Sequence, residues 1–183
     1  ILQLGDSRDE WDAYWGLNRP ETPRTLLYEI IALVFRSLCI RPWLNKTARD
    51  IFPEDSILLH AGCGSGQVDL DIRQRYRIIA LDRSVAAAIC CYYNNDPHEQ
   101  ICVGDLFSLP FSDGYFDGLY NLGVMEHFEE KDLRLALCEL SRVTKRGGKL
   151  LFFWPTVDNI PGKILEFFGL FDSGDKHSAN SFI

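Results

Sequence analysis

The chain has no C-x-x-C pair, no G-K-[ST] triplet, no surplus of positive charge and no apolar run long enough to cross a bilayer. Each absence removes a class of protein. The six cysteines (Cys39, Cys63, Cys90, Cys91, Cys102 and Cys138) lack the spacing of zinc sites and disulfide scaffolds. Four of them lie in apolar stretches, where a thiol packs as a small hydrophobe. The expectation is reduced thiols, no metal and a cytoplasmic protein. The longest apolar run, Leu26 to Ile40, is interrupted by Glu29 and Arg36. It falls short of the ~20 apolar residues a membrane span needs, and no signal peptide is visible, so stable membrane insertion is not expected. With 19 Lys and Arg against 26 Asp and Glu, the formal net charge is -7. Phosphate recognition needs clustered cations, so the expected partner is a small-molecule acceptor and not a nucleic acid. Oligomeric state is left open.

What is present is one domain's worth of chain, 183 residues with 46% hydrophobic content, enough for a sizeable core. The first 55 residues read as a helical cap. They comprise an aromatic, acidic segment from Asp9 to Leu17, a turn at Pro20 and Pro23, and a helix from Thr25 to Ile40. That helix is apolar around most of its circumference and is therefore expected to be buried on more than one side. Pro42 is expected to end it, and a short helix follows from Leu44 to Ile51.

From residue 56 to 183 the pattern changes to short apolar runs separated by helical stretches. Strands are predicted at Ile57–Ala61, Arg77–Leu81, Ile101–Val103, Phe116–Leu122 and Lys149–Trp154. Helices are predicted at Gln67–Gln74, Ser84–Asn94 and Lys131–Thr144, with Ser84 as an N-cap and Gly147-Gly148 closing the last one. Alternation of this kind predicts an α/β fold, a Rossmann-like, doubly wound and mostly parallel sheet with right-handed crossovers.

The chemistry concentrates at strand ends. The first strand runs into His60-Ala61-Gly62-Cys63-Gly64-Ser65-Gly66, where alternating glycines let the backbone turn tightly and approach a ligand. A dinucleotide fingerprint would place its third glycine at position 67, which is Gln67. Asp82 ends the second strand, 20 residues after Gly62, where a carboxylate can accept both hydroxyls of a ribose. Asp105 ends the third strand, where it can accept an exocyclic amine of adenine while Leu106 covers the ring.

These sites, together with the stretches Leu109-Pro110-Phe111-Ser112-Asp113-Gly114-Tyr115-Phe116-Asp117 and Glu139-Leu140-Ser141-Arg142-Val143, resemble the class I S-adenosylmethionine-dependent methyltransferases. The likeness is to the small-molecule, methyltransferase type 11-like branch, and it covers about Ser56 to Pro155. It implies S-adenosyl-L-methionine as cofactor, leaving as S-adenosyl-L-homocysteine. It implies that Gly62, Cys63, Gly64 and Gly66 cradle the methionine part, that Asp82 with Arg83 beside it binds ribose, and that Asp105 and Leu106 hold adenine. Asn121 would face the methionine part through its backbone, and Val124 to Phe128 would open towards the acceptor. Where the acceptor must lose a proton, Glu126 and His127 are the candidate bases, and Tyr14 and Trp15 are candidates for closing over the cofactor.

Two departures stand out. His60 occupies a position where the family usually has Asp or Glu to help hold the cofactor's ammonium; a neutral imidazole adds one hydrogen bond and no charge. Only five of the family's seven strands can be assigned, so the expectation is a domain lacking its C-terminal strands. The apolar segments Leu26–Ile40 and Ile160–Phe171 suggest an acceptor with an apolar part. The rival readings are an NAD(P)-dependent oxidoreductase, which Gln67 disfavours, and a catalytically inactive cofactor-binding partner subunit.

Overall fold

The computed structural model describes residues 8–16, 30–95 and 100–154. The apolar segment at 160–171, and most of the stretch before residue 30, lie outside the described residues. Five strands form one sheet: β1 (Ile57–Ala61), β2 (Arg77–Asp82), β3 (Gln100–Val103), β4 (Phe116–Leu122) and β5 (Thr144–Phe153). Their spatial order is β3-β2-β1-β4-β5 and every pairing is parallel. The chain therefore winds outward from β1 to β3, then returns to the other side of β1. The reversal between β1 and β4 opens a crevice at their carboxyl ends, the place where such sheets bind ligands.

Side-chain alternation along β1 builds two cores. Leu59 and Ala61 face one side with Ile79, Leu81 and Leu119, covered by Ala136, Leu140 and Val143 of α4 (Glu130–Val143). Leu58 faces the other side with Ile78, Val68, Ile72 and Tyr76, covered by Leu44 and Ala48 of α2 (Arg41–Ile51). Fully burying a side chain such as Leu58 or Leu59 stabilises the fold by about 1.5–3 kcal/mol relative to leaving it in water. The helix α3 (Val85–Asn94) starts at Ser84, whose hydroxyl accepts the Ala87 N–H at 3.1 Å and ends at Asn95. A shorter helix, α1 (Arg8–Trp15), lies against α3.

Four expectations need correction. Pro42 does not end a helix: residues 30–35 are helical, Arg36–Ile40 form a π turn, and α2 follows directly. In that wide turn the Arg41 N–H bonds back to the Arg36 carbonyl, five residues away. The loosened register lets Pro42, which has no N–H to give, occupy the first turn of α2. The helix is also not buried all round, since Ile30, Leu33 and Val34 are exposed and Leu38 is 71% exposed. The predicted helix at 67–74 is instead two 3₁₀ turns, Gln67–Leu70 and Ile72–Gln74. Asp69 turns inward there to meet His60 and Tyr120, which sets the turn more tightly than α-helical spacing would. Finally, Gly147-Gly148 lies inside β5, not at a helix end: α4 stops at Val143, and the β4–β5 register slips between Phe116 and Gly118. Gly147 has φ +83, so the irregularity sits where a left-handed residue is tolerated. No helix among the described residues is long and apolar enough to cross a membrane.

Candidate functional site

The loop after β1 is shaped by its glycines. Gly62, Gly64 and Gly66 all adopt positive φ, a conformation costly for residues with a Cβ. Space is equally restrictive. A Cβ on Gly62 would lie 2.5 Å from Val124, and one on Gly64 would lie 2.7 Å from the Trp15 ring. At Gly66 it would run into Asn95 and Cys91. The loop is thus packed between the segment after β4, the helix α1 and the end of α3.

Asp82 joins that loop to α3. One of its oxygens accepts the Gly64 N–H at 2.8 Å and the other accepts the Ser84 N–H at 2.9 Å. Burial raises its pKa, and those backbone donors oppose the rise. The carboxylate is therefore held rigidly at the end of β2 with lone pairs left for a ligand. Cys63 is buried behind the loop with Ala80 and Cys91; its hydrogen bond with Cys91, followed by burial, pushes the thiol well above its usual range. That thiol packs, and it does not ionise.

Asp105 keeps its place through the Phe107 N–H at 2.9 Å, and it meets Arg83 at 3.5 Å. Arg83 thus bridges the two carboxyl-terminal corners of β2 and β3. Leu106 points into the core beside Leu109 and Met125, so its side chain is a wall behind the corner and not an exposed cover. The following loop is clamped by Arg142, which donates to the carbonyls of Leu109 at 3.0 Å and Phe111 at 2.9 Å and to Asp113 at 2.8 Å. Glu139 pairs with Arg142 at 2.8 Å and accepts the Leu109 N–H at 2.8 Å; these bonds, led by Arg142, hold its carboxyl down at about 2. Two sequence stretches quoted only as motifs are therefore one physical unit.

On the other side of the crevice stand Asn121, Glu126 and His127. Asn121 is fully buried; its Nδ2 donates to the Ala61 carbonyl at 2.5 Å, and its Oδ1 has no hydrogen-bond partner. The Oε2 of Glu126 is also buried without a partner. Desolvation pushes the Glu126 carboxyl up to about 7, and burial lowers His127. Above them lies α1. Trp11 stands edge-on to His127 with ring centres 5.4 Å apart, Trp15 covers Gly64, and Tyr14 packs edge-on against Trp15 at 5.2 Å. Asp12 fastens the helix, accepting from the Ser84 hydroxyl at 2.5 Å and the Ala86 N–H at 3.2 Å.

Of the residues singled out from sequence, the structure brings all to the carboxyl end of the sheet, but His60 is turned inward. It is 2% exposed, with Nδ1 on Asp69. Trp11, Asp12, Asp69 and Tyr120 were missed. Asp69 leaves a signal in hindsight, a carboxylate set among Val68, Ile72 and Tyr76 on an otherwise apolar face.

The fold and crevice define a class I nucleotide-cofactor domain of the doubly wound type. Residues 59–152, just over half of the chain, match a family described as a methyltransferase domain, and the chain belongs to that family. A SAM-dependent methyltransferase from Thermotoga maritima has the same fold, with TM-score 0.58, 19% identity, and coverage of 79% of this chain and 65% of that one. Among curated proteins, the tRNA (carboxymethyluridine(34)-5-O)-methyltransferase of Arabidopsis thaliana is 30% identical over 127 residues, 68% of this chain and 30% of that protein. The demethylmenaquinone methyltransferase of Corynebacterium urealyticum is 35% identical over 131 residues, 67% of this chain and 52% of that protein. The chain thus spans from under a third to about half the length of these relatives.

The cofactor of this class is S-adenosyl-L-methionine, and the residues present fit it. The glycine loop turns its backbone at the mouth of the crevice, Asp82 presents a fixed carboxylate, and Asn121 holds an unspent buried acceptor next to Ala61, where that loop begins. The nicotinamide reading is not favoured. The exclusion of a nucleic-acid partner, and with it the small-molecule acceptor, is overturned by a relative named for action on tRNA. The physical reason is that net charge is a sum over one domain, whereas phosphate recognition depends on where cations cluster.

Proposed function

We propose that the chain transfers the methyl group of S-adenosyl-L-methionine to a nucleophilic atom of a tRNA nucleoside, with Glu126 as general base. The observation that carries the catalytic part is the Glu126 carboxyl, buried after β4, unpartnered at Oε2 and raised to about 7. A base is most effective when its pKa lies near the working pH, and one positioned this way contributes about 10²–10⁴-fold. The acceptor class is read from the tRNA-directed relative. A cytoplasmic setting goes with that reading.

When bound, the cofactor supplies an electrophilic methyl on a sulfonium centre. The protein's part is to bind, orient and exclude water. Gly62, Cys63, Gly64 and Gly66 would hold the methionine part, Asp82 and Arg83 the ribose, and Asp105 and the backbone at Leu106 the adenine. Trp15 closes over Gly64, and Trp11 with His127 forms the wall towards the acceptor. Positioning of this kind supplies about 7–11 kcal/mol of the barrier reduction. The 1–55 cap would then act as a lid on the 56–183 core.

Incubation with methyl-labelled S-adenosylmethionine and, separately, unmodified total tRNA, a quinone and an acyl carrier protein tests the proposal. Label entering tRNA, and lost in Glu126→Gln, supports it. Label entering only another acceptor overturns the acceptor class, and label entering none overturns the activity.

A further inference from the structure

A buried polar unit lies in the core beside the end of β1 from which the glycine loop leaves. His60 of β1 and Tyr120 of β4 face each other in the strand register, with rings stacked 4.5 Å apart at 26°. Asp69, from the 3₁₀ turn that follows the loop, reaches both. One oxygen accepts the Tyr120 hydroxyl at 2.6 Å and the other pairs with His60 Nδ1 at 2.8 Å. His60 is 2% exposed, and Asp69 and Tyr120 are 0% exposed. The turn itself is tied down by Arg73, whose Nε donates to the Asp69 carbonyl at 3.0 Å.

A carboxylate is costly to bury and is kept where its oxygens are satisfied or used. Here both are satisfied, and the arrangement has a chemical consequence. A carboxylate only accepts, so Nδ1 of His60 carries a proton towards Asp69, and Nε2 is the ring nitrogen left to face a ligand. A carboxylate behind an imidazole also raises the ring's strength as an acceptor, as it does behind metal-bound histidines. His60 stands two residues before Gly62, near the carboxyl end of β1 where the crevice opens. The unit therefore borders the cofactor side of the sheet and does more than fill the core behind it.

We propose that Asp69 and His60 together take the place of the acid that the family resemblance implies at position 60. Asp69 is the positioning residue; it orients and polarises His60, whose Nε2 accepts a hydrogen bond from the cofactor's amino group, directly or through one water. This rests on the S-adenosylmethionine reading. The negative charge is retained at the site, displaced by nine residues in sequence and delivered through an imidazole.

The test compares S-adenosylhomocysteine with 5′-methylthioadenosine, which keeps the adenosine and thioether but lacks the amino-acid group. Calorimetric titrations are made with the wild type, Asp69→Asn, and the double variant His60→Glu with Asp69→Asn. Asp69→Asn should bind S-adenosylhomocysteine at least tenfold more weakly and methylthioadenosine within twofold of wild type. The double variant, with an acid restored at position 60, should regain most of the lost affinity. If Asp69→Asn does not fold, His60→Gln should show the same selective loss. Parallel weakening of both ligands, or no change in either, overturns the proposal and leaves the unit as a tie between turn and sheet. A wild type that binds neither ligand instead overturns the cofactor reading, and the dyad's role with it.

Discussion

The two sides of the crevice are built on opposite terms. On the β2–β3 side every group that defines the corner has partners within the protein: Asp82 with Gly64 and Ser84, Asp105 with Phe107 and Arg83, Glu139 with Arg142. On the β4 side, two of the three buried, unpartnered side-chain atoms among the described residues fall within six positions of each other, on Asn121 and Glu126. Buried polar groups normally find partners, so such exceptions call for an explanation. The satisfied side acts as a preformed mould for a cofactor of constant shape. On the proposed reading, the unsatisfied side would keep hydrogen-bonding capacity for the methionine part of the cofactor, through Asn121, and for the methyl acceptor, through Glu126.

The sharpest way to break this comparison is Glu126→Gln. It should lower kcat by about 10²–10⁴-fold while leaving cofactor affinity within a few-fold of wild type. The wild-type rate should rise with pH as the carboxyl ionises through about 7, and single-turnover rates from pH 5 to 9 would show it. The same substitution should stabilise the fold. The carboxyl's folded pKa of about 7 lies above the ordinary 4.5, so the cost of burying its charge is absent below the unfolded value and complete above 7. Removing the charge should gain about 3 kcal/mol at pH 8 and nothing at pH 4, since one pKa unit is worth about 1.4 kcal/mol. Denaturant melts at both pH values check the sign.

On the satisfied side, Asp82→Ala removes charge-assisted hydrogen bonds, each worth about 1.5–3 kcal/mol. S-adenosylhomocysteine should bind roughly 10- to 100-fold more weakly by calorimetry. Unchanged affinity would take the ribose role from Asp82.

Trp15→Ala uncovers Gly64 without touching a hydrogen bond, so its effect should be smaller. The dissociation rate of S-adenosylhomocysteine, followed by stopped flow, should rise on the order of 3- to 10-fold, since losing part of an apolar cover costs about 1 kcal/mol. An unchanged rate would mean that α1 does not close the site.

The smallest functional effect is expected from Arg142→Ala, which acts on the scaffold alone. It should lower Tm by about 5 °C through release of the loop at 109–113, with cofactor affinity changed by less than about threefold. A large affinity loss at unchanged Tm would move Arg142 from scaffold to site.

Much of this architecture is legible in the chain itself. The strand positions and the Ser84 cap follow from apolar runs and end signals that act over a few residues. The glycines, Asp82 and Asp105 are legible because strand ends in a parallel sheet converge on one edge. The segment after β4 was readable as a place, but not the state of Glu126, since desolvation depends on everything packed around the group.

What escaped were long-range choices. The length of the helix through Pro42 was decided by a π turn that moves the missing donor to where none is needed. The Arg142 clamp spans 29 to 33 positions, and the Asp12 fastening spans 72 and 74. Local sequence determined which segments are strands and where the backbone must turn, because hydrophobic periodicity and glycine conformations are short-range properties. Only the tertiary structure decided that Asp69 faces inward to His60 and Tyr120, and that Asn121 and Glu126 keep unspent acceptors. Burial and hydrogen-bond satisfaction depend on groups that the fold, and not the chain order, makes neighbours.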